Sequence, residues 1–537
     1  MKLRRMIRRQ DLYGCVLCGD APCDAACPRG VGPARLLRST WLDNESFAAA
    51  SLPEGNPCAG CDAPCERACV KAEKVPIRRL ISRLAEEVKP CVDPVLLEDE
   101  TALETDICGV RLENPFLLSS SVVASTYDKC VRAFEAGWAG ATFKTICAFE
   151  IHEASPRYSA IKGEGGAIIG FKNIEQLSVH SVSENLATFR RLKKAYPNKV
   201  IVASLMGRDD PEWEDLARQC EENGADVIEL NFSCPNMMDE VLGSAIGQNP
   251  ELVERFTAAA RRGAKIPILA KLTPNVDAMS PAAEAAMRGG ASGVSAINTI
   301  KSVMEINLHT YISSPAVHGM SAVGGYSGNV VRPIALRFIS EMGRNPALSG
   351  MYISGMGGVK TWVDAREFLL MGARSIQITT AVMQYGYRII DDLKSGLNYY
   401  LKEKGIKNVR EIVGEGLEFV SESTDALERD TIVYPKFDRN ACIGCGRCEI
   451  SCSDGGHQAI RLNEQRRPIL DPKRCVGCHL CVLVCPMEAI LFVGETDAEI
   501  IIKKSAMKNM IPHSTLFFSK IKLRAGLFPS AGNACRH

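Results

Sequence analysis

The sequence lacks several features that would place it in common classes of protein. It has no run of about 18 or more apolar residues, so we expect no membrane-spanning helix. Its 64 basic and 63 acidic side chains nearly cancel and form no basic stripe, which argues against nucleic-acid binding. The basic N-terminus, MKLRRMIRRQDLYG, lacks the apolar segment of a signal peptide or a twin-arginine export signal. We therefore expect a cytoplasmic protein with no membrane partner.

A dinucleotide-binding loop of the form G-x-G-x-x-G is also missing. The glycines of GEGGAIIG (163–170) have the wrong spacing and context, and a loop is the expected structure there. We therefore expect any FAD or NAD(H) site on a separate polypeptide that serves as the electron-transfer partner.

Cysteine, in contrast, is abundant and clustered. Sixteen of the 23 cysteines fall into two pairs of tight runs, one pair near each end. CIGCGRCEISC and CVGCHLCVLVCP repeat the C-x2-C-x2-C-x3-C spacing of two-cluster ferredoxins, in which the fourth cysteine of each run binds the other cluster. Zinc sites are the alternative, although zinc usually takes two separated CxxC pairs. The predicted ligands are Cys442, Cys445, Cys448 and Cys485 for one [4Fe–4S] cluster, and Cys475, Cys478, Cys481 and Cys452 for the other.

Two runs near the N-terminus have a different spacing. CVLCGDAPCDAAC and CAGCDAPCERAC share the tetrapeptide DAPC, and segments such as ARLLRSTWL and PIRRLISRLAEE have helical patterns. We interpret the region as a small helical domain with two more [4Fe–4S] clusters, and a zinc-binding module is the alternative. The predicted ligands are Cys15, Cys18, Cys23, Cys27, Cys58, Cys61, Cys65 and Cys69.

Between these regions, strand and helix patterns alternate. Helical segments such as DPEWEDLARQCEENG and PELVERFTAAARRGA follow most of the strands, and eight such units fit a (β/α)8 TIM barrel. A doubly wound open sheet is the alternative. The eight predicted strands are PFLLSSSVV, ATFKTI, KVIVASLM, DVIELNFS, PILAKLTP, GVSAINTI, MYISGMGG and SIQITTAV.

Polar residues cluster at the predicted carboxyl ends of these strands, where a TIM barrel has its active site. One such residue is more often a surface cap, but a series on successive strands is hard to explain by packing. The lysine in AKLTPN is expected to need an anionic partner, because a barrel mouth is partly desolvated. The series comprises Lys144, Asn231, Ser233, Lys271, Thr273, Asn275, Asn298 and Thr299.

A phosphate site is predicted after the last two strands. SGMGGVK (354–360) and QITTAV (377–382) occupy the usual phosphate-binding position of TIM barrels. FMN fits a chain that also carries clusters, because a flavin converts one-electron input into two-electron chemistry. The backbone N–H groups expected to cradle the phosphate belong to Gly357, Gly358, Thr380 and Ala381.

From about residue 107 to 495 the sequence resembles the FMN-carrying part of the dihydropyrimidine dehydrogenases. The barrel is also similar to class 1 dihydroorotate dehydrogenases, which share the FMN site and the S-C-P-N loop. The motifs that carry the resemblance are FKT (143–145), GFKNIEQLS (170–178), NFSCPN (231–236), GQNPELV (247–253), AKLTPN (270–275), INTIKS (297–302), GGYSGNVVRPIALRF (324–338), MQYGYRI (383–389) and GGHQAI (455–460).

The resemblance implies an oxidoreductase that interconverts uracil or thymine and their 5,6-dihydro forms. Hydride would pass between FMN N5 and ring C6, and Cys234 would supply the proton at C5, a role that suits a thiol with a pKa of about 8.5. Implied substrate-binding residues are Asn173, Asn231, Ser233, Asn236, Asn298 and Thr299. Implied FMN-binding residues are Ser119, Ser120, Lys144, Lys271, Gly328, Gly357, Gly358, Thr379, Thr380 and Ala381.

The first 97 residues resemble the helical iron–sulfur domain of the same family. One family cluster takes a glutamine ligand, but Arg83 lies near the matching place here, and Cys58 is the candidate replacement. The resemblance implies one cluster on Cys15, Cys18, Cys23 and Cys69, and another on Cys27, Cys61, Cys65 and Cys58.

Two alternative functions stay open. Asn236 stands where the single-chain dihydropyrimidine dehydrogenase has histidine and dihydroorotate dehydrogenases have asparagine, so dihydroorotate is a second candidate substrate. A non-catalytic electron-transfer subunit is the third candidate function. In the leading hypothesis, the dihydropyrimidine enzyme, four clusters relay electrons from a separate FAD/NAD(H)-binding subunit. We expect the chain to form a homodimer within the resulting heteromer.

The expected architecture is an α/β protein with several domains, because 537 residues exceed one ordinary domain. The tail mixes lysines with apolar residues, as in a partner-binding helix or a poorly ordered end. The predicted parts are a helical Fe–S domain (1–97), an FMN-binding (β/α)8 barrel (98–410), a linker (411–435), a ferredoxin-like domain with two [4Fe–4S] clusters (436–495) and the tail (496–537).

Overall fold

The computed structural model describes residues 12, 14–163, 166–237 and 242–492. By their contacts these residues divide into two compact units, one that ends at Val420 and one that begins at Ser421. The tail predicted at 496–537 lies outside the described residues, and the finer domain boundaries stay predictions. Among the described helices, none combines the length and the apolar character needed to cross a lipid bilayer.

The first unit begins with short helices. The predicted helices of this region are present, and Ile77, Leu80, Ile81 and Leu84 form the buried face of one of them, at the spacing of an amphipathic helix. The helices are α1 (Pro22–Ala25), α2 (Pro33–Trp41), α3 (Glu45–Ala50), α4 (Pro64–Arg67), α5 (Ile77–Glu87) and α6 (Pro94–Leu97).

A closed barrel of eight parallel strands follows an antiparallel hairpin, β1 (Thr105–Ile107) and β2 (Val110–Leu112). Each barrel strand pairs with the next one along the chain, and the last pairs with the first. The TIM barrel prediction is therefore confirmed, and the open-sheet alternative is wrong. The barrel strands are β3 (Phe116–Leu118), β4 (Gly140–Thr142), β7 (Val200–Leu205), β8 (Val227–Asn231), β9 (Ile268–Lys271), β10 (Gly293–Ala296), β15 (Tyr352–Met356) and β16 (Ser375–Ile378).

Helices follow most of the barrel strands. Several begin at a polar residue whose side chain accepts a backbone N–H, as Asp209 does from Glu212 at 3.0 Å. The helices are α7 (Tyr127–Ala136), α8 (Val182–Ala195), α9 (Asp210–Glu222), α10 (Ser244–Gly247), α11 (Pro250–Gly263), α12 (Ser280–Arg288), α13 (Arg332–Arg344), α14 (Trp362–Leu370), α15 (Thr380–Tyr385) and α16 (Ile389–Lys404).

A separate four-stranded antiparallel sheet was not predicted. It comprises β5 (Tyr158–Lys162), β6 (Ile168–Asn173), β11 (Ile300–Ser302) and β14 (Gly324–Ser327), in the order β11-β14-β6-β5. Residues 168–170 of the segment expected to be a loop (163–170) therefore belong to β6, whereas 164 and 165 lie outside the described residues. The central pairing joins β6 to β14 across about 150 residues, and no local sequence period reveals such a long-range contact.

A small hairpin beside this sheet is held by a buried lysine. The hairpin consists of β12 (Met304–Ile306) and β13 (Ser313–Ser314). Lys172 is fully buried in β6, and its ammonium donates to the carbonyl oxygens of Ser314 at 3.0 Å and Ala322 at 2.8 Å. This lysine therefore ties the segment around β13 to the sheet.

The second unit is small and rich in cysteine. Its strands form two antiparallel pairs, β17 with β20 and β18 with β19. Three of the six fully packed core residues are cysteines, so apolar packing alone supplies little stability, as in small metal-binding domains. The elements are β17 (Pro435–Phe437), α17 (Arg447–Gly455), β18 (Ile460–Leu462), β19 (Pro468–Leu470), α18 (Leu480–Leu483) and β20 (Ile490–Phe492).

Candidate active site and thiol groups

A large cavity opens at the carboxyl ends of the barrel strands and encloses about 1270 Å³, including its solvent-open part. Its wall brings together residues from seven of the eight barrel strands or the loops that follow them. Among the site residues predicted from the sequence, those in the wall are Cys234, Asn173, Asn231, Asn236, Asn298, Thr299, Ser119, Ser120, Lys144, Lys271, Gly328, Gly357, Gly358, Thr379, Thr380 and Ala381.

Cys234 lies on the loop after β8, and only 5% of its surface is exposed. Burial raises the pKa of the thiol to about 11, against smaller lowering effects from a backbone hydrogen bond of Asn236 and from the ammonium groups of Lys271 and Lys144. The thiol therefore carries its proton at neutral pH. A protonated thiol in a cavity wall is suited to proton donation rather than to nucleophilic attack.

Three side chains near Cys234 form one hydrogen-bonded group. Ser233 is fully buried, and its hydroxyl donates to Asn231 Oδ1 at 3.1 Å and accepts from Asn298 Nδ2 at 2.8 Å. Asn231 Nδ2 donates in turn to Thr145 Oγ1 at 2.8 Å. Ser233 thus lies behind the described cavity wall and orients the two amides, and its direct contact with a substrate stays a prediction.

Asn236 presents an open acceptor. Its Nδ2 donates to the Glu175 carbonyl oxygen at 2.6 Å, and its Oδ1 is buried without a hydrogen-bond partner among the described residues. A buried acceptor without a donor is unfavourable, so a ligand N–H at this position would satisfy it. Asn173, at the end of β6, and Thr299 add further polar groups to the wall.

Besides Ser233, two further residues of the predicted strand-end series do not reach the cavity. Asn275 Nδ2 donates to Thr273 Oγ1 at 3.0 Å and to the Thr299 carbonyl oxygen at 3.3 Å. Neither Thr273 nor Asn275 is among the described lining residues. Their polar groups support the loop after β9.

Lys144 and Lys271, two of the lysines in the cavity wall, have buried carboxylate partners that the sequence analysis did not identify. Lys144 Nζ lies 3.2 Å from Glu153 Oε1 and 3.1 Å from Glu175 Oε1. Lys271 Nζ lies 3.4 Å from Glu229 Oε1, which supplies the anionic partner expected for this lysine. Glu229 had a visible signal, because it is an acidic residue within the otherwise apolar strand VIELN.

Another part of the cavity wall is rich in glycine. Gly357 and Gly358 have φ angles of 118° and 90°, and a Cβ atom at position 358 would lie 2.9 Å from the Arg332 backbone nitrogen. Only glycine fits there, so the backbone can closely approach a ligand. Lys360, also in the wall, was not predicted, and its ammonium lies 5.1 Å from the ring centroids of Trp41 and Tyr385. Two lysines, a polar amide wall and this glycine cradle fit a flavin mononucleotide.

The N-terminal cysteines lie in two groups of four. Burial raises the pKa of Cys15, with further raising effects from Cys18 and Cys69, and burial raises the pKa of Cys23 to about 11, with further raising effects from Asp24, Cys15 and Cys18. Burial raises the pKa of Cys58 to about 11, with further raising effects from Cys61, Cys65 and Cys27. Arg83, near the expected glutamine position, instead pairs with Glu87 at 3.0 Å. These groups are the sets that the resemblance implies, and their ligation of iron stays a prediction.

The C-terminal cysteines line two separate cavities. Backbone N–H groups donate to the sulfur atoms in symmetric pairs, as from Gly444 to Cys442 and from Gly477 to Cys475, both at 3.4 Å. Such N–H···S contacts stabilise cluster-bound thiolates. One cavity is lined by Cys442, Cys445, Cys448 and Cys485, and the other by Cys452, Cys475, Cys478 and Cys481.

Comparison with known families agrees with both regions. Residues 102–401 match the family described as dihydroorotate dehydrogenase, and residues 436–492 match the 4Fe-4S dicluster domain. Neither match includes the N-terminal cysteine runs.

Three relatives span most of their own length in the alignment with this chain. The NAD-dependent dihydropyrimidine dehydrogenase subunit PreA of Escherichia coli K12 is 50% identical over 365 residues, 68% of this chain and 89% of the relative. The chloroplastic dihydropyrimidine dehydrogenase (NADP(+)) of Arabidopsis thaliana is 35% identical over 344 residues, 62% of this chain and 81% of the relative. The catalytic subunit of dihydroorotate dehydrogenase B (NAD(+)) of Pyrococcus horikoshii is 35% identical over 320 residues, 59% of this chain and 98% of the relative.

Proposed function

The chain belongs to the dihydroorotate dehydrogenase family of oxidoreductases, and we propose that it interconverts uracil or thymine and their 5,6-dihydro forms. The observation that carries the proposal is Cys234, a buried thiol that keeps its proton in the wall of the cavity that fits FMN. The 50% identity to a dihydropyrimidine dehydrogenase subunit supports this substrate class.

FMN, when bound in the barrel, supplies a hydride-transfer centre at its N5 atom. Lys144 and Lys271 would stabilise the negative charge of the reduced ring, because both ammonium groups lie in the cavity wall. Gly328, Gly357 and Gly358, with Thr379, Thr380 and Ala381, would hold the phosphate end, and Ser119 and Ser120, also in the wall, would contact the ring.

Cys234 would exchange a proton with C5 of the pyrimidine while hydride moves at C6. Because its pKa is raised to about 11, the thiol is loaded as an acid at neutral pH. The same raised value makes the thiolate a strong base, which suits proton removal in the reverse direction. The lysines near Cys234 lower the barrier to forming that thiolate by opposing its charge.

The amides of Asn173, Asn231, Asn236 and Asn298 would recognise the edge of the pyrimidine ring. Each amide can donate and accept, which matches the alternating carbonyl and N–H groups of uracil. The open Oδ1 of Asn236 supports this role, since a ring N–H would pair it. A pocket of amides also penalises analogues that lack those groups.

The charges in the cavity favour a neutral ring over dihydroorotate. Dihydroorotate carries a carboxylate, which a cation without another anionic partner would stabilise most strongly. Lys144 already faces Glu153 and Glu175, and Lys271 faces Glu229. A substrate carboxylate near Lys144 or Lys271 would therefore meet carboxylates already in place, whereas Lys360 follows the glycine-rich segment proposed for the phosphate. Dihydroorotate stays the second candidate because Asn236 matches that branch and the Pyrococcus horikoshii relative is 35% identical.

Electrons would reach the flavin through iron–sulfur clusters from a separate FAD/NAD(H)-binding subunit. The dicluster domain supports two clusters, and the two N-terminal groups of four thiols support two more. The Escherichia coli relative is itself named a subunit, which supports a heteromer. We propose a cytoplasmic enzyme that forms a homodimer within that heteromer.

The decisive experiment assays purified holoprotein with uracil, thymine and dihydroorotate, using an artificial electron donor or acceptor. Cys234→Ala should lower uracil reduction at least tenfold, about 1.4 kcal/mol in the barrier. Cys130→Ala is the matched control, because Cys130 is equally buried but lies outside the cavity wall. Turnover of dihydroorotate without turnover of uracil would overturn the proposal. Unchanged uracil reduction by the Cys234 variant would show that Cys234 is not the proton donor, and absence of turnover of all three substrates by the wild-type protein would favour a non-catalytic electron-transfer subunit.

A further inference from the structure

Glu229 is a carboxylate with no solvent exposure inside the barrel. It lies on β8, two residues before Asn231. One of its oxygens, Oε2, accepts from Ser295 Oγ at 2.7 Å and from Gln377 Nε2 at 3.2 Å. Carboxylates are rarely buried without partners, because desolvation of the charge is strongly unfavourable. The two donors come from β10 and β16, so the position of the carboxylate is fixed by three strands.

The second oxygen has a different environment. Glu229 Oε1 lies 3.4 Å from Lys271 Nζ, yet it has no hydrogen-bond partner among the described residues. Lys271 lines the cavity, and its side chain is 5% exposed. The ammonium therefore lies between a buried carboxylate and the cavity, and the interaction with Glu229 is one of charge without a well-aligned hydrogen bond.

The surroundings of Glu229 keep this arrangement rigid. Gln377 also donates to Ser354 Oγ at 3.1 Å and accepts from Thr142 Oγ1 at 3.1 Å. Glu229, Gln377 and Ser295 each have 1% exposure or less. These side chains are joined by hydrogen bonds in a buried network. Electrostatic interactions within the network are stronger than in water, because the local dielectric constant is low. Glu229 is thus a fixed negative charge immediately behind a cavity lysine.

We propose that Glu229 is a positioning residue that sets the reduction potential of the flavin through Lys271, an inference that rests on the proposed FMN site. Two-electron reduction of a flavin with uptake of one proton at N5 leaves one negative charge on the ring. A cation in the wall stabilises that charge and raises the potential. Glu229 holds the ammonium in place and offsets part of its charge, so the flavin stays a stronger reductant than Lys271 alone would allow.

The test is a redox titration of the bound flavin, followed by its visible absorbance against reference dyes. Glu229→Gln keeps the shape of the side chain and removes its charge. The flavin potential should become more positive, with at least a tenfold shift in the equilibrium between oxidised and reduced forms, about 30 mV for a two-electron couple. Glu229→Asp keeps the charge. Its equilibrium between oxidised and reduced flavin should stay within threefold of the wild-type value.

Ser295→Ala is the matched structural control. It removes a donor to the same carboxylate but leaves all charges in place. In this variant the equilibrium between oxidised and reduced flavin should stay within threefold of the wild-type value. A Ser295 variant that shifts the potential as far as Glu229→Gln does would show that packing rather than charge is responsible, and would overturn the inference.

A double substitution tests whether the effect passes through Lys271. Lys271→Met should make the flavin potential more negative, and adding Glu229→Gln should then shift it by less than half of its effect in the wild-type background. An equal shift in both backgrounds would mean that Glu229 acts directly on the flavin, which contradicts the inference. Should Glu229→Gln alone not retain FMN, the pair Lys271→Met and Lys271→Met/Glu229→Gln decides instead: their flavin equilibria should differ by less than threefold, and a tenfold difference would contradict the inference.

Failure of the inference and failure of the proposed function give different results. FMN content and uracil turnover are measured on the same wild-type preparation. Suppose that the wild-type protein binds FMN and reduces uracil, and that the flavin redox equilibrium of Glu229→Gln stays within threefold of the wild-type value. That result overturns only the inference. A wild-type protein that binds FMN but acts only on dihydroorotate overturns the proposed substrate and leaves the inference to the titration. Absence of FMN overturns both.

Discussion

The two cysteine-rich regions of the chain arrange their thiols alike although their spacings differ. Each region has eight cysteines in two runs, and in each the last cysteine of a run joins the group formed by the other run. Cys69 and Cys27 are the exchanged residues near the N-terminus, as Cys485 and Cys452 are near the C-terminus. In both regions a residue with positive φ precedes each short cysteine-bearing helix, such as Ala21 at 44° and His479 at 57°. The exchange therefore does not depend on one particular spacing.

What differs is the support of each region. The C-terminal region packs its thiols into a small core of its own. The N-terminal region instead contacts α16 of the barrel through buried polar groups, with Asp392 accepting from Arg38 Nε at 2.6 Å and from Ser39 Oγ at 2.5 Å. Asn44 Nδ2 also donates to Ser395 Oγ at 2.8 Å. One thiol region is thus specified locally, and the other depends on tertiary contacts with the barrel.

Removal of one thiol from either region has the largest expected effect, which is a loss of bound iron. Cys58→Ala and Cys448→Ala should each remove up to about four of roughly sixteen iron atoms, because each would leave one [4Fe–4S] cluster incompletely ligated. Iron and sulfide analysis with EPR measures the loss. Cys91→Ala is the control, since this cysteine is exposed and belongs to neither N-terminal group. Full iron in the Cys58 variant would show that the resemblance between the two regions does not extend to clusters.

Asp392→Ala should lower the stability of the N-terminal region and leave that of the C-terminal region unchanged. It leaves the largely buried Arg38 guanidinium without its main partner, and loss of one member of such a pair destabilises by about 3–5 kcal/mol. Urea unfolding followed by cluster absorbance should show a lower midpoint for the N-terminal clusters. The midpoint of the C-terminal clusters should not move.

Arg67→Ala is the control for that measurement. Arg67 pairs with Asp62 in the N-terminal region, but both side chains are mostly exposed, at 64% and 76%. No change in the unfolding midpoint is expected. Equal effects of the two substitutions would contradict the view that the buried contact with the barrel stabilises the N-terminal region.

Two arginines allow a finer comparison of cluster lability. Arg388 donates to the carbonyl oxygens of Cys18 at 3.0 Å and Leu17 at 2.5 Å, and Arg467 donates to the carbonyl oxygen of Cys442. Arg388→Gln should speed iron loss to a chelator severalfold from the N-terminal region only, and Arg467→Gln from the C-terminal region only. Stopped-flow absorbance with a ferrous chelator measures both rates. Equal effects of Arg388→Gln on both regions would argue against a local role.

The isolated thiol provides the smallest expected change, across pH. Burial raises the pKa of Cys234 to about 11, so the acid form persists far above the usual thiol value of about 8.5. Uracil reduction under saturating donor should therefore stay level up to about pH 9.5 and decline only as pH approaches about 11. Cys234→Ser should be slower without that decline. A fall centred near pH 8.5 would show that the thiol is not held in its neutral form.

Much of the fold and of the site was predictable from local sequence. All eight barrel strands and the cysteine runs follow from local patterns, and sixteen of the cavity-lining residues follow from those patterns together with the family resemblance. What the sequence analysis missed requires distant segments to meet. Glu153 lies in the loop between β4 and β5, and Glu175 follows β6 of the four-stranded sheet. Both reach Lys144 only because that sheet packs beside the barrel mouth. Lys360 became recognisable only from its contact with Trp41 of the N-terminal region.

The sequence by itself determined the chemistry that is available: thiol spacings that suit cubane clusters, polar residues at the carboxyl ends of apolar strands, and a cysteine outside the runs in the motif NFSCPN. These are local properties, because strand and helix periods and ligand spacings extend over a few residues. The tertiary structure decided which charges meet. Burial keeps the proton on Cys234, and Glu229 lies behind Lys271, because closing the barrel removes water and brings separate strands within a few ångströms.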